Sequence, residues 1–343
     1  MQRFLLLFWM GCLVCWRGLA LDPVEELKSF SAFDKVDLQK LADGEIMVER
    51  GPFMDFPRGI SAQACFVVMA PAEKTAKLYR TWDASHHESL KLHSHCHIQS
   101  PPSDENFKPL NLSSQKSPFR WLLDKTQATT SERSDLHLSI AEATQISESM
   151  KKGGESAEAT ARCWKDILKA RALKFQKEGL AGSPPYEMGG SVITSSSEIQ
   201  NLLKEIPKIS AQFSPFLPET LLAKQPLLSA PPPYCYWELL EINSHAAVNL
   251  GAVYLKALDD GRYQILDCDY YSNGGIYASF TLRQIWPIKI RDKDASLIWR
   301  GEFVSAPTLA IVRGIERMAA GGIMIQEIKK AIRAFQEDAP KTP

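Results

Sequence analysis

Histidines stand at positions 93, 95 and 97, with Cys96 between the last two and the pair His86-His87 a few residues earlier. Imidazole and thiolate are the side chains by which proteins hold zinc and copper. A strand over this run predicts that His93, His95 and His97 point to one side. The spacing then argues against joint ligation, because same-face neighbours on a strand lie about 7 Å apart and the outer pair about twice that. A two-histidine site completed by a distant carboxylate stays open, against the simpler account of a polar strand face. Asp267 and Asp269 also share a strand face, and paired carboxylates do acid–base work when burial separates their pKa values. Arg300 and Glu302 repeat that spacing. No nucleophile or base relay stands beside either pair in sequence, so a solvated face is the competing account. The sequence contains no G-x-S-x-G, H-E-x-x-H or phosphate-binding glycine loop. The expectation is therefore of no metal and no organic cofactor.

Composition narrows the partners. The chain has 343 residues, 45% of them hydrophobic and 23% charged, which is ordinary for a globular protein. Lys plus Arg and Asp plus Glu number 40 each, so no global field favours nucleic acid or an anionic surface. Arg3 precedes the apolar run 4–16, and Gly18-Leu19-Ala20 supplies small residues before a cut. That pattern predicts a cleaved export signal over residues 1–20 and a periplasmic or extracellular address. The run is shorter than the roughly 20 residues a spanning helix needs, so no transmembrane segment is expected in the mature chain. Cys65, Cys96, Cys163, Cys235 and Cys268 remain after cleavage, without a C-x-x-C pair. Their pairing stays open, with buried thiols the simpler reading for Cys65 and Cys268.

The elements that must carry these residues follow from periodicity. Helical pattern is predicted over 24–41, a short strand over 45–50, a strand over 61–69, and a helix opened by Pro71. Residues 100–230 read as a mainly helical insertion. Strands are predicted over 235–243, 247–257, 262–271, 276–286 and 296–304, with Asp260-Gly261 and Asn273-Gly274 as hairpin turns. Short turns force antiparallel neighbours, so the fold class is α+β with one antiparallel sheet. Ile311, Ile315, Met318, Gly322, Ile325, Ile328, Ile332 and Phe335 recur at helical spacing and predict a long C-terminal helix laid on the sheet. The alternation assigns Leu250, Tyr254, Phe280, Leu282, Trp286, Trp299 and Phe303 to one apolar face, expected to meet that helix at Met318 and Gly322. Residues 21–338 then read as one domain interrupted by the insertion, with 339–343 as a tail.

This order resembles the START-like superfamily, also called SRPBCC or helix-grip. The local match is Met69-Ala70-Pro71-Ala72-Glu73-Lys74 followed by Asp83-Ala84-Ser85-His86, similar to the family's first strand running into its first helix. The resemblance covers about 61–98 and 235–338. It departs at Thr75-Ala76, where the family usually carries Val-Trp, and in the insertion. It implies a cavity between sheet and helix that holds an apolar or lipid-like small molecule, and it implies no universal catalytic residue. Two other readings stand beside it. One is a polyketide-cyclase-like or hydrolytic enzyme on the same fold, using Asp267, Asp269, Arg300 or Glu302. The other is a non-catalytic interaction protein with a filled core. The strand face that carries Asp267 and Asp269 discriminates among them.

Overall fold

The computed structural model describes residues 22–114, 116–153, 156–187, 190–221 and 232–339. The export signal expected over 1–20 and the tail beyond Ala339 lie outside the described residues. The sequence alternation produces β1 (Met47–Arg50), β2 (Gly59–Val68), β3 (Leu92–Ile98), β4 (Tyr234–Ile242), β5 (His245–Ala257), β6 (Tyr263–Ser272), β7 (Ala278–Ile290) and β8 (Lys293–Ser305). They form one antiparallel sheet in the order β1-β2-β8-β7-β6-β5-β4-β3. Helices α1 (Pro23–Phe30) and α2 (Leu38–Ala42) precede it, α3 (Ala72–Thr81) links β2 to β3, and α11 (Gly314–Asp338) ends it. Between β3 and β4 the chain detours through α4 (Asp104–Phe107), α5 (Ser117–Gln127), α6 (Ile140–Gly153), α7 (Ala157–Glu178), α8 (Ser195–Lys204), α9 (Pro207–Gln212) and α10 (Phe216–Leu221). The fold is α+β, an antiparallel sheet with a C-terminal helix and a helical insertion.

Two local expectations change. The helix expected over 24–41 is two helices, because Asp22 and Asp37 each accept backbone N–H groups as N-caps. Asp260-Gly261 does turn the chain, with Gly261 at φ 81°. Asn273 instead lies buried, its Oδ1 accepting from Val248 N at 2.9 Å, and the positive φ falls on Gly275.

Both faces of the sheet are covered, and they differ in chemistry. Leu250, Phe280, Leu282, Trp286, Trp299 and Phe303 lie in one large core with insertion side chains such as Trp164, Leu168 and Phe213; Tyr254 packs at its edge. Phe175 of α7 stacks on Tyr270 of β6 at 3.7 Å. Each fully buried Phe or Leu there contributes about 1.5–3 kcal/mol. The opposite face carries Ala64, Phe66, Val253, Ile265 and Ile298 beneath Ala76 and Tyr79 of α3 and Ile328, Ile332 and Phe335 of α11. The apolar stripe of the strands therefore faces the insertion, while the mixed face meets the C-terminal helix. Period-two alternation separates two faces but does not label them, and the seven insertion helices among the described residues supply the larger apolar surface.

The C-terminal helix grips the sheet with one half only. Ile328, Ile332 and Phe335 are buried, whereas Ile315 and Met318 are exposed; Ile311, expected on the helix, precedes its first residue Gly314 and is exposed too. Phe335 stacks on Tyr79 at 3.5 Å, and Gln336 Nε2 donates to Val67 O at 2.8 Å. A Cβ added at Gly322 would meet open space, so this glycine is neither a close-packing point nor a cavity wall. The five described cysteines are unpaired, with all but Cys96 buried.

Candidate functional site between the sheet and the C-terminal helix

The mixed face encloses a cavity of about 210 Å³, roofed by Tyr79, Arg80, Trp82 and Ala84 from α3 and its following loop, together with Ala331 of α11. Its floor is a set of alternate strand residues: His95 on β3, Tyr236 and Glu238 on β4, Asp267 and Asp269 on β6, Ser279, Thr281 and Arg283 on β7, and Arg300 and Glu302 on β8. The register makes this convergence inevitable. Asp267 pairs with Thr281, Thr281 with Glu302, and Arg283 directly with Arg300. Two like charges opposed across a sheet are destabilising in themselves.

Tyr236 joins the two aspartates. Its hydroxyl lies 2.8 Å from Asp267 Oδ1 and 3.3 Å from Asp269 Oδ1, and Ser279 Oγ donates to Asp269 Oδ2 at 2.6 Å. The phenol reaches there because its ring crosses Gly251, where a Cβ would stand 2.2 Å from Tyr236 Cζ. Any side chain at 251 would push the ring away. Burial raises the Asp269 carboxyl well above the usual range, and the charges of Asp267 and Glu238 push the same way. The surroundings of Asp269 therefore favour its neutral form, opposed by the hydrogen bonds from Ser279 and Tyr236, while the Tyr236 hydroxyl donates to the second aspartate, Asp267.

The cations are under matching stress. Burial lowers the Arg283 pKa, and Arg300 opposite adds to this. The Arg283 guanidinium lies 4.6 Å from the Tyr79 ring centre and its Nη1 3.6 Å from Asp267 Oδ2, beyond hydrogen-bond reach. Arg300 Nη2 pairs with Glu302. Burial opposes a charged His95, but its Nδ1 lies 2.9 Å from Glu238 Oε1, and that hydrogen bond and charge raise its pKa overall. Arg283 Nε and Nη1, Arg300 Nε, His95 Nε2 and the Tyr79 hydroxyl are buried without a hydrogen-bond partner. Each such group costs about 1–3 kcal/mol unless something supplies an acceptor. Four of these five atoms are nitrogens that a bound anion or polar molecule would satisfy.

Asp267, Asp269, Arg300 and Glu302 thus come together on one wall, joined by Arg283, His95, Tyr236 and Glu238. The sequence pattern did not single out Arg283, Glu238 or Tyr236; the signal lay in the strand register that places them on the face of Asp267. The residues expected to line the cavity are elsewhere. Leu250, Tyr254, Phe280, Leu282, Trp286, Trp299 and Phe303 sit on or against the insertion side of the sheet. Met318 lines a different, more open groove of about 410 Å³ with Phe53 and Met54. That groove is larger but lacks converging charged groups: Arg50 donates to Met318 O and Arg317 to Pro57 O.

The three strand histidines divide. Leu92 pairs with Leu240 and Ser94 with Leu239, so His93 is the extra residue of a bulge. It turns to the insertion side, 4.9 Å from the Phe119 ring, with Nε2 3.0 Å from Glu241 Oε1. His95 and His97 face the other way, His97 stacking on Tyr234 at 4.6 Å. The expectation of one shared face fails at the bulge, and His93, His95 and His97 do not converge on a point.

No family model matches the chain, and no curated protein matches it. Among solved structures, it is similar to a START superfamily protein from Mycobacterium smegmatis at 18% identity, over 33% of this chain and 72% of that one, with a TM-score of 0.25.

Proposed function

We propose that this chain is an exported START-like protein that binds a small polar molecule bearing an anionic group in the cavity beneath α3 and α11, and acts on it by proton transfer. The observation that carries this reading is the cross-strand pair Arg283 and Arg300, whose buried, unpartnered nitrogens line the same cavity as Asp269, a carboxyl that burial raises well above its usual range. An anionic group between the arginines would relieve their mutual repulsion, while Asp269 would act as general acid, linked through the Tyr236 hydroxyl to Asp267. A volume of about 210 Å³ falls below the roughly 300–1,000 Å³ of drug-sized ligand sites. Size and charge together favour a compact organic acid over a lipid chain, and the cavity-facing aspartates favour the enzyme over a carrier with an apolar interior. Unsatisfied donors likewise speak against a core filled by side chains alone.

Native mass spectrometry of the chain purified from its own host tests the ligand class. A retained small acid, lost from Arg300→Met, is the expected result; a retained lipid would overturn it. Export rests on residues 1–20 alone. N-terminal sequencing of exported material should read from Leu21, and recovery of Met1 in the mature form would contradict a cleaved signal.

A further inference from the structure

Outside the charged cluster, one oxygen gathers three nitrogens. His87 Nε2 lies 2.9 Å and His86 Nε2 3.2 Å from Asp338 Oδ2, and Trp82 Nε1 donates to that same oxygen at 2.9 Å. The two imidazole rings are 4.1 Å apart. One ligand atom from each of His86, His87 and Asp338 lies within 4.8 Å of the other two. Around a tetrahedral zinc ion with bonds of about 2.0–2.1 Å, ligand atoms stand about 3.3 Å from one another. Both histidine-to-aspartate separations are already close to that value, so only modest side-chain rotation would complete the set.

We propose that His86, His87 and Asp338 form a zinc site that clasps the last turn of α11 to the loop following α3. Two imidazole nitrogens select a borderline transition cation over calcium or magnesium, which take oxygen. Three protein ligands leave a fourth position for water, and His86 is exposed enough to admit it. Trp82 supplies the outer support that a ligating carboxylate usually has, a donor fixing its orientation. Trp82 and Ala84 also line the cavity, so the ion would sit at the rim and fasten the two halves of its roof together. The site is independent of what the cavity binds.

Calorimetric titration of the chelator-stripped full chain with zinc chloride tests this, with melting temperature as a second readout. The expected result is one equivalent bound, with a rise in melting temperature. His86→Ala, at an exposed position that does not endanger folding, and Asp338→Asn should each abolish both. Trp82→Phe keeps all three ligands and should weaken binding about 10–100-fold. His93→Ala and His97→Ala should leave it unchanged. Absence of binding, binding that survives His86→Ala and Asp338→Asn, or binding lost instead in His97→Ala would each overturn the assignment.

Discussion

Asp269→Asn melts at a higher temperature than the wild type at pH 7, and the two converge as the pH falls towards 4. In the unfolded chain an aspartate titrates near 3.9, whereas burial and the neighbouring Asp267 and Glu238 hold the folded carboxyl well above its usual range. Above pH 4 the folded protein therefore binds more protons at this position than the unfolded one, and stability falls as pH rises until the folded group also ionises. Asparagine keeps the neutral shape and has no proton to lose, so that slope disappears. Its amide can still accept from Ser279 and donate towards Tyr236. Turnover of a substrate that needs a proton from this position should fall about 10²–10⁴-fold, the usual worth of general acid catalysis. Thermal melts of both proteins from pH 4 to 8 check the first part. A wild-type slope that persists in Asp269→Asn would assign the titration to another group and remove the acid from the proposed chemistry.

Arg171→Met is expected to destabilise the fold by about 3–5 kcal/mol, the usual cost of breaking a buried ion pair from one side. Arg171 is 2% exposed on α7. Its Nε and Nη2 each donate to Glu142 on α6 at 2.6 Å, its Nη1 donates to Pro184 O at 3.1 Å, and its guanidinium lies 4.0 Å from the Tyr271 ring centre on β6. One side chain thus ties two insertion helices, a loop and the sheet. Removing it leaves the Glu142 carboxylate with its neighbours Ser139 N and Oγ but no cation. The melting temperature should drop on the order of 10 °C. Adding Glu142→Leu should recover part of the loss, because apolar replacement of both partners is often neutral. Denaturant unfolding of the single and double variants would measure both; a loss below about 1 kcal/mol would mean that the insertion is not fastened here.

Alternation and turn chemistry made most of the sheet legible, since strands ending at Asp260-Gly261 announce their partner. Two other turns carried no such mark. Asn243-Ser244 and Arg291-Asp292 adopt positive φ without glycine, so β7 and β8 run further towards each other than their patterns indicated. Charge pairs at spacing two singled out Asp267, Asp269, Arg300 and Glu302, and equal parity on adjacent antiparallel strands brings these side chains to one face. Which helices would cover that face was not legible: parity is a relation between residues, and only the tertiary fold says what lies above. His93 shows a different failure. A single bulged residue inverts a side chain, and nothing in Leu92-His93-Ser94 announces it. The partner of His86 and His87 was hidden for a simpler reason, since Asp338 stands some 250 positions away and only the path of α11 returns it to them.

The sheet is a partition with unlike rooms on its two sides. Along β6 and β7, even-numbered residues such as Leu266, Phe280 and Leu282 hold up the insertion core, while their odd-numbered neighbours Asp267, Thr281 and Arg283 line the cavity. On β8 the numbering inverts, with Trp299 and Phe303 structural and Arg300 and Glu302 polar. Inheritance can therefore rewrite one wall with little consequence for the other. The cavity-lining positions can drift towards new ligands while the aromatic side and the apolar contacts beneath α3 and α11 keep the chain folded, and a lineage could change its chemistry many times without ever relearning how to fold.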